Sequence, residues 1–267
     1  MVRHHQGRRN RLFNTSRDGR PWAFYTAPVR GVWGIIAAVT LCGLGAFAGT
    51  KQTIPAIRWT ENAANCSFRD ADDGRTYYGL SSEDFEITLT VDRQELEKIP
   101  HRAKPMLGVF LTFHYKGAGQ FDVQQNRMYL EYTKHFQVVK GSLDPDDMVK
   151  QLQQNVDDLT DEVERHDVKK HPELKGQKET ELQARLKDYT EMMDFISTRG
   201  LKPVTLDSSN SSASGWVFFS IKDKWIGPWR KPEEFVLRFP AEHSIIEFPF
   251  SLPPKGAKVE FRKRPGE

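Results

Sequence analysis

The chain has 267 residues, a formal net charge of +3 and two cysteines. The charge is unevenly held: residues 1–30 carry seven arginines against Asp18, and the other 32 basic and 35 acidic residues leave the remainder slightly acidic. The slightly acidic remainder argues against nucleic-acid binding, which needs a basic face, and Cys42 and Cys66 are placed too awkwardly to staple the chain, so stability is expected from packing.

Gly31 to Thr50 is an unbroken run of 20 uncharged residues. As a helix rising about 1.5 Å per residue it reaches about 30 Å, the thickness of a bilayer's hydrocarbon core. Arg3, Arg8, Arg9, Arg11, Arg17, Arg20 and Arg30 precede it, whereas the downstream flank is mixed, with Lys51, Arg58 and Arg69 against Glu61 and Asp70. Positive residues stay inside, so residues 1–30 read as a cytoplasmic tail and 31–50 as a single-pass transmembrane helix. The expected address is a bacterial inner membrane, with the C-terminal domain periplasmic or extracellular. Gly45 and Gly49 form a small-xxx-small pair through which two such helices can pack. Ala46-Phe47-Ala48 also has the form of a signal cleavage site, and a cleaved, secreted domain is the alternative.

Residues 51–84 read as a tether and leading loop. Within them Asp70, Asp72, Asp73 and Gly74 suggest a calcium loop, but the closing Glu at the required spacing is missing, so a solvated turn is expected. Period-two alternation then begins at Phe85, Ile87, Leu89 and Val91, the mark of a half-buried strand. Met106–Tyr115 and Met128–Val139 are two further strands, so 85–141 forms the first part of a β-domain. Asp144-Pro145 opens a helix, with Asp as cap and Pro in the first turn. Met148, Leu152, Val156, Leu159 and Val163 make one apolar stripe; after Pro172 a second runs through Leu182, Leu186, Tyr189, Met193 and Ile196. Residues 144–200 are therefore expected as an inserted antiparallel helical hairpin, with Gly200 as a left-handed cap. Strands return over 201–267 at Trp216–Ile221, Glu234–Phe239 and Ser244–Phe250, with a short last one at Ala257–Phe261. The fold class expected is mainly β: a transmembrane helix followed by an immunoglobulin-like antiparallel sandwich carrying the hairpin.

Chemistry is sparsely signalled. No nucleophile elbow, paired-His metalloprotease motif, phosphate loop or C-x-x-C is present, so no catalytic residue, metal or cofactor is assigned. His114 and His135 are placed to face each other on neighbouring strands, and Glu131 with His135 is a conceivable acid–base pair. Phe218 and Phe219, adjacent in a strand, must point to opposite faces, and the hairpin can cover one of them. Trp225, Trp229 and Arg230, in a loop of aromatics among basic residues, are the candidate partner-binding residues. The expected function is a membrane-anchored binding or scaffolding module, engaging the bilayer and a protein partner, with homodimerisation through Gly45/Gly49 or the hairpin. The alternative is an envelope-polymer hydrolase using Glu131, His135, His114, Glu234 or Glu247.

Overall fold

A computed structural model describes residues 54–98, 102–135, 138–221, 230–241 and 243–257, with backbone alone at 166–168. The expected membrane segment, Gly45 and Gly49 therefore lie outside the described residues, as do Trp225 and Trp229. Among the described residues no helix is long and apolar enough to cross a membrane.

The described chain is mainly β. It forms strands β1 (Ala56–Arg58), β2 (Cys66–Asp70), β3 (Arg75–Ser81), β4 (Phe85–Asp92), β5 (Met106–Tyr115), β6 (Phe121–Val123), β7 (Tyr129–Tyr132), β8 (Val138–Leu143), β9 (Val204–Leu206), β10 (Ser212–Ser220), β11 (Glu233–Ala241) and β12 (Ser244–Leu252). Ten of them make one curled mixed sheet in the order β1-β12-β11-β7-β8-β10-β5-β4-β3-β2; β6 and β9 pair separately. All neighbours run antiparallel except β1 with β12. Strand β8 is the corner, pairing with β7 on one side and β10 on the other. The curl brings the inner faces together, and Phe113 of β5 meets Phe239 of β11 edge-on at 5.7 Å. Alternation fills this interior: Phe85, Ile87, Leu89 and Val91 from β4 join Val109, Leu111, Val217, Phe219, Leu237 and Phe248 in one continuous core. Phe121 of β6 closes one end, stacking on Phe85 at 5.8 Å and on Tyr115 at 6.1 Å.

The two outermost strands of the sheet are joined by the short segment between β1 and β2, and Trp59 holds both. Its backbone N–H donates to the Glu247 carbonyl of β12 at 2.8 Å. Its indole N–H donates to the Ser67 carbonyl of β2 at 3.0 Å, and its ring meets Tyr78 of β3 edge-on at 5.0 Å. Three strands thus occupy the stretch read from sequence as tether. The solvated turn between β2 and β3 is present at 71–74, where Gly74 takes φ +82°, a conformation that costs glycine little.

Helix α1 (Glu95–Lys98) follows β4. Helix α2 (Pro145–Glu162) follows β8, and its cap is as the sequence implies: the Asp144 carboxylate accepts from the N–H groups of Asp146 at 2.9 Å and Asp147 at 3.2 Å. A π-turn at Val163–Asp167, the short α3 (Val168–Lys170) and a tight turn at Pro172–Leu174 reverse the chain into α4 (Lys175–Arg199). Gly200 corrects the expected left-handed cap, because its φ is −62° and ψ 142°. It is needed there for close approach: a Cβ would sit 2.6 Å from the Ile196 carbonyl oxygen and 3.2 Å from Pro145. The long strand expected over 128–139 is two strands, β7 and β8. Phe219 points into the sheet core, whereas Phe218 points to the opposite face, where Met106, Met148, Leu152 and Ile196 form a second buried cluster that docks the helices on the sheet.

Candidate functional site

Where the helices cover β5 and β10 the outer face is dry; beside them it is open. Cross-strand register assembles that open face in rows. One row runs Arg69, Tyr77, Thr90, Phe110, Trp216 across β2, β3, β4, β5 and β10. The next runs Gly79, Thr88, Thr112, Ser214. On the other side Arg75 stands opposite Asp92. Arg75, Tyr77, Thr88, Thr90, Asp92, Phe110, Thr112 and Trp216 together line a groove of about 330 Å³, a volume within the range of small-molecule sites.

The aromatics of the groove are fixed from behind. The Phe110 and Trp216 rings meet at 5.6 Å, and Phe195, from α4, packs on Trp216 at 5.8 Å. Phe195 also meets Phe218 at 6.1 Å and keeps 40% accessibility. At the other end the Arg69 guanidinium lies 4.1 Å over the Tyr77 ring, a cation–π contact that holds the ring's orientation. Tyr77, Phe110 and Trp216 are all half-buried, supported but reachable.

The charged end of the groove is anchored to a buried network. Asp92 is ion-paired with Lys98, which stands 3.7 Å from Oε2 of Glu95. Glu95 is fully buried. Its Oε1 accepts from the backbone N–H of Gly108 at 2.6 Å and pairs with Arg102 at 2.7 Å; Oε2 has no hydrogen-bond partner. Burial raises the Glu95 carboxyl above its ordinary range, opposed by Arg102, the Gly108 N–H and Lys98. Gly108 lets this happen, because a Cβ there would sit 3.0 Å from Oε1, 3.1 Å from Phe218 and 3.2 Å from Trp216.

The residues read from sequence as an acid–base set do not converge. Glu131 and Glu247 are joined by Arg238 on the outer face of the other half of the sheet, with Arg58 also on Glu247 at 2.7 Å. His135 lies beyond β7 and pairs with Glu233 at 3.0 Å, not Glu131. His114 cannot face it, because β8 and β10 stand between β5 and β7; Glu234 is paired with Lys134 at 3.0 Å. Arg230 is exposed. Cys66 is a free, half-buried thiol accepting from the Thr60 N–H at 3.4 Å. Among the described residues no cluster of three or more His, Cys, Asp or Glu could hold a metal. A second cavity, of about 310 Å³, opens at the Phe121 end and gathers Glu83, Asp84, Tyr115 and His243.

No protein-family model matches this chain, and neither a curated protein nor a solved structure matches it.

Sequence reading missed the groove. Its signal was the parity of Phe110 and Trp216. Each is large, aromatic and out of phase with the core residues of its own strand, and they become neighbours only once β5 and β10 are paired.

Proposed function

We propose that this protein is a membrane-anchored, extracytoplasmic binding module. Residues 31–50 hold it N-terminus-in to an inner membrane, and its curled sheet is a two-layer sandwich of immunoglobulin-like type. The observation that carries the binding reading is the groove: half-buried Tyr77, Phe110 and Trp216 on a sheet face, with Phe195 packed on Trp216 and the rim edged by hydroxyls and charge. Rigid elements hold recognition groups more accurately than loops do. The loop carrying Trp225, Trp229 and Arg230 is the second recognition element in this reading, suited to a protein partner, and pairing through Gly45/Gly49 or the hairpin would bring two modules together.

The test is a photo-crosslinking amino acid placed at the exposed Thr112 in cells, with the same residue at Lys150 on α2 as the comparison. A discrete adduct from Thr112 and none from Lys150 is the expected result. Equal smears from both positions, or nothing from Thr112, would remove the groove as a recognition surface.

An envelope hydrolase on Glu131, His135, His114, Glu234 and Glu247 is not supported, because those groups stand apart; a hydrolase on other residues is the second reading, and one observation favours it: Glu83, Asp84 and His243 share a cavity with Tyr115. A hydrolase of this kind loses turnover of envelope polymer on Asp84→Asn while its melting temperature is kept.

A further inference from the structure

We infer that the groove binds a short stretch of neutral saccharide; this rests on the binding-module reading and names its ligand class. Three properties of the groove select that chemistry.

The first is the floor. Strands β3, β4, β5 and β10 all lie inside the ten-stranded sheet with a partner on each side. The floor is therefore a sheet face and offers no row of open backbone N–H and C=O groups. An extended peptide laid there would find few partners for its own backbone, and each group left dry costs free energy. A saccharide has no such backbone. Its hydroxyls donate and accept, and so do the hydroxyls of Thr88, Thr90 and Thr112 that meet them.

The second is the aromatic row. Tyr77, Phe110 and Trp216 span β3 to β10, three strand spacings or about 14 Å. They are half-buried, with part of each surface reachable. Such surfaces suit a ligand that is apolar on its ring faces and polar around its rim. A sugar ring has C–H groups on its faces and hydroxyls at its edge, and the threonine row lies beside the aromatic row.

The third is charge. The lining contains one cation, Arg75, directly across from one anion, Asp92, and Asp92 is further paired with Lys98. Arg75 is ion-paired with Asp73 at 3.6 Å, and the Arg69 guanidinium at the far end is turned onto the Tyr77 ring, so the two charges of the lining are each offset, which favours a neutral ligand.

The experiment uses the full-length chain in a detergent with no sugar headgroup, titrated calorimetrically with chitotetraose, cellotetraose and maltotetraose. Saturable binding of at least one is expected. Tyr77→Ala should weaken it about tenfold, the scale of one lost aromatic contact. Thr112→Val, which keeps shape and removes the hydroxyl, should weaken it severalfold. Thr112 is exposed, so Thr112→Val is expected to keep the wild-type melting temperature; Tyr77 is half-buried beneath Arg69, so Tyr77→Ala is titrated well below its own melting temperature, and Trp216→Ala is avoided because it also touches Phe195 and Phe218. Folded wild-type protein that binds none of the three overturns the inference, as does binding that both variants retain in full. A discrete non-saccharide adduct from Thr112 in cells, with no sugar binding, would sink the saccharide while leaving the binding module standing. The absence of any Thr112 adduct together with no sugar binding would sink both.

Discussion

Leu152→Ala should release the helices from the sheet without unfolding the sheet. Leu152 is completely buried, in a cluster separate from the main core whose buried members among the described residues are Met106, Met148, Leu152, Ile196 and Phe218. Burying side chains of this size contributes about 1.5–3 kcal/mol each. The three contributed by the helices, Met148, Leu152 and Ile196, thus supply roughly 5–9 kcal/mol of gross docking free energy. Truncating a buried Leu to Ala costs about 2–5 kcal/mol, including the cavity left behind. That is around half of the gross term, before the entropy of ordering the hairpin is subtracted. Native-state hydrogen exchange followed by mass spectrometry reads the outcome. Amides of α2 and α4 should lose protection by several orders of magnitude, while those of β4, β5 and β11 stay near wild type. If strand and helix amides lose protection together and equally, the hairpin and sheet are one cooperative unit and the separation of the two clusters has no energetic meaning.

Three further outcomes follow from the geometry. Glu95 has a folded-state pKa raised above its ordinary 4.5, so between pH 4.5 and that raised value the folded state holds a proton the unfolded state has lost. Stability therefore falls as pH rises through this window, and Glu95→Gln should flatten that slope in urea unfolding measured from pH 4.5 to neutrality. Asp144→Ala removes the acceptor for two helix N–H groups and should lower the unfolding free energy by about 1 kcal/mol, visible as a fall in the denaturant midpoint with unchanged slope. Gly200→Ala forces a methyl to 2.6 Å from the Ile196 carbonyl oxygen and should cost roughly 1–3 kcal/mol, read as a lower melting temperature.

Much of the frame was legible because it depends on local chemistry. The alternation of β4 and the Asp144-Pro145 helix start each state their structure within a few residues. Strands β2 and β3 were not legible. Cys66-Ser67-Phe68-Arg69-Asp70 carries one large apolar residue, and it becomes a strand because β3 is there to pair with it. Tertiary pairing overrides weak local preference in such edge strands. Gly200 was misread because a glycine after a helix predicts a turn, while here it serves an approach to Pro145 that no local pattern encodes. The acid–base set failed for a related reason: Glu131, Arg238 and Glu247 meet only through the β7-β11-β12 order, and that order is not written in any one segment. The groove is likewise a property of pairing, drawing Tyr77, Phe110 and Trp216 from three strands far apart in the chain.

The Trp59 seam has a mechanical consequence. A pull on the chain from its N-terminal side arrives first at β1, three residues long and bonded to β12 alone. Peeling β1 away would leave nine strands of the sheet still paired. Trp59 is the next residue but one after Ile57, and it is tied to β12, β2 and β3 together. A tug that frees β1 is therefore stopped at one buried indole, where the load passes from a single strand to both margins of the sheet.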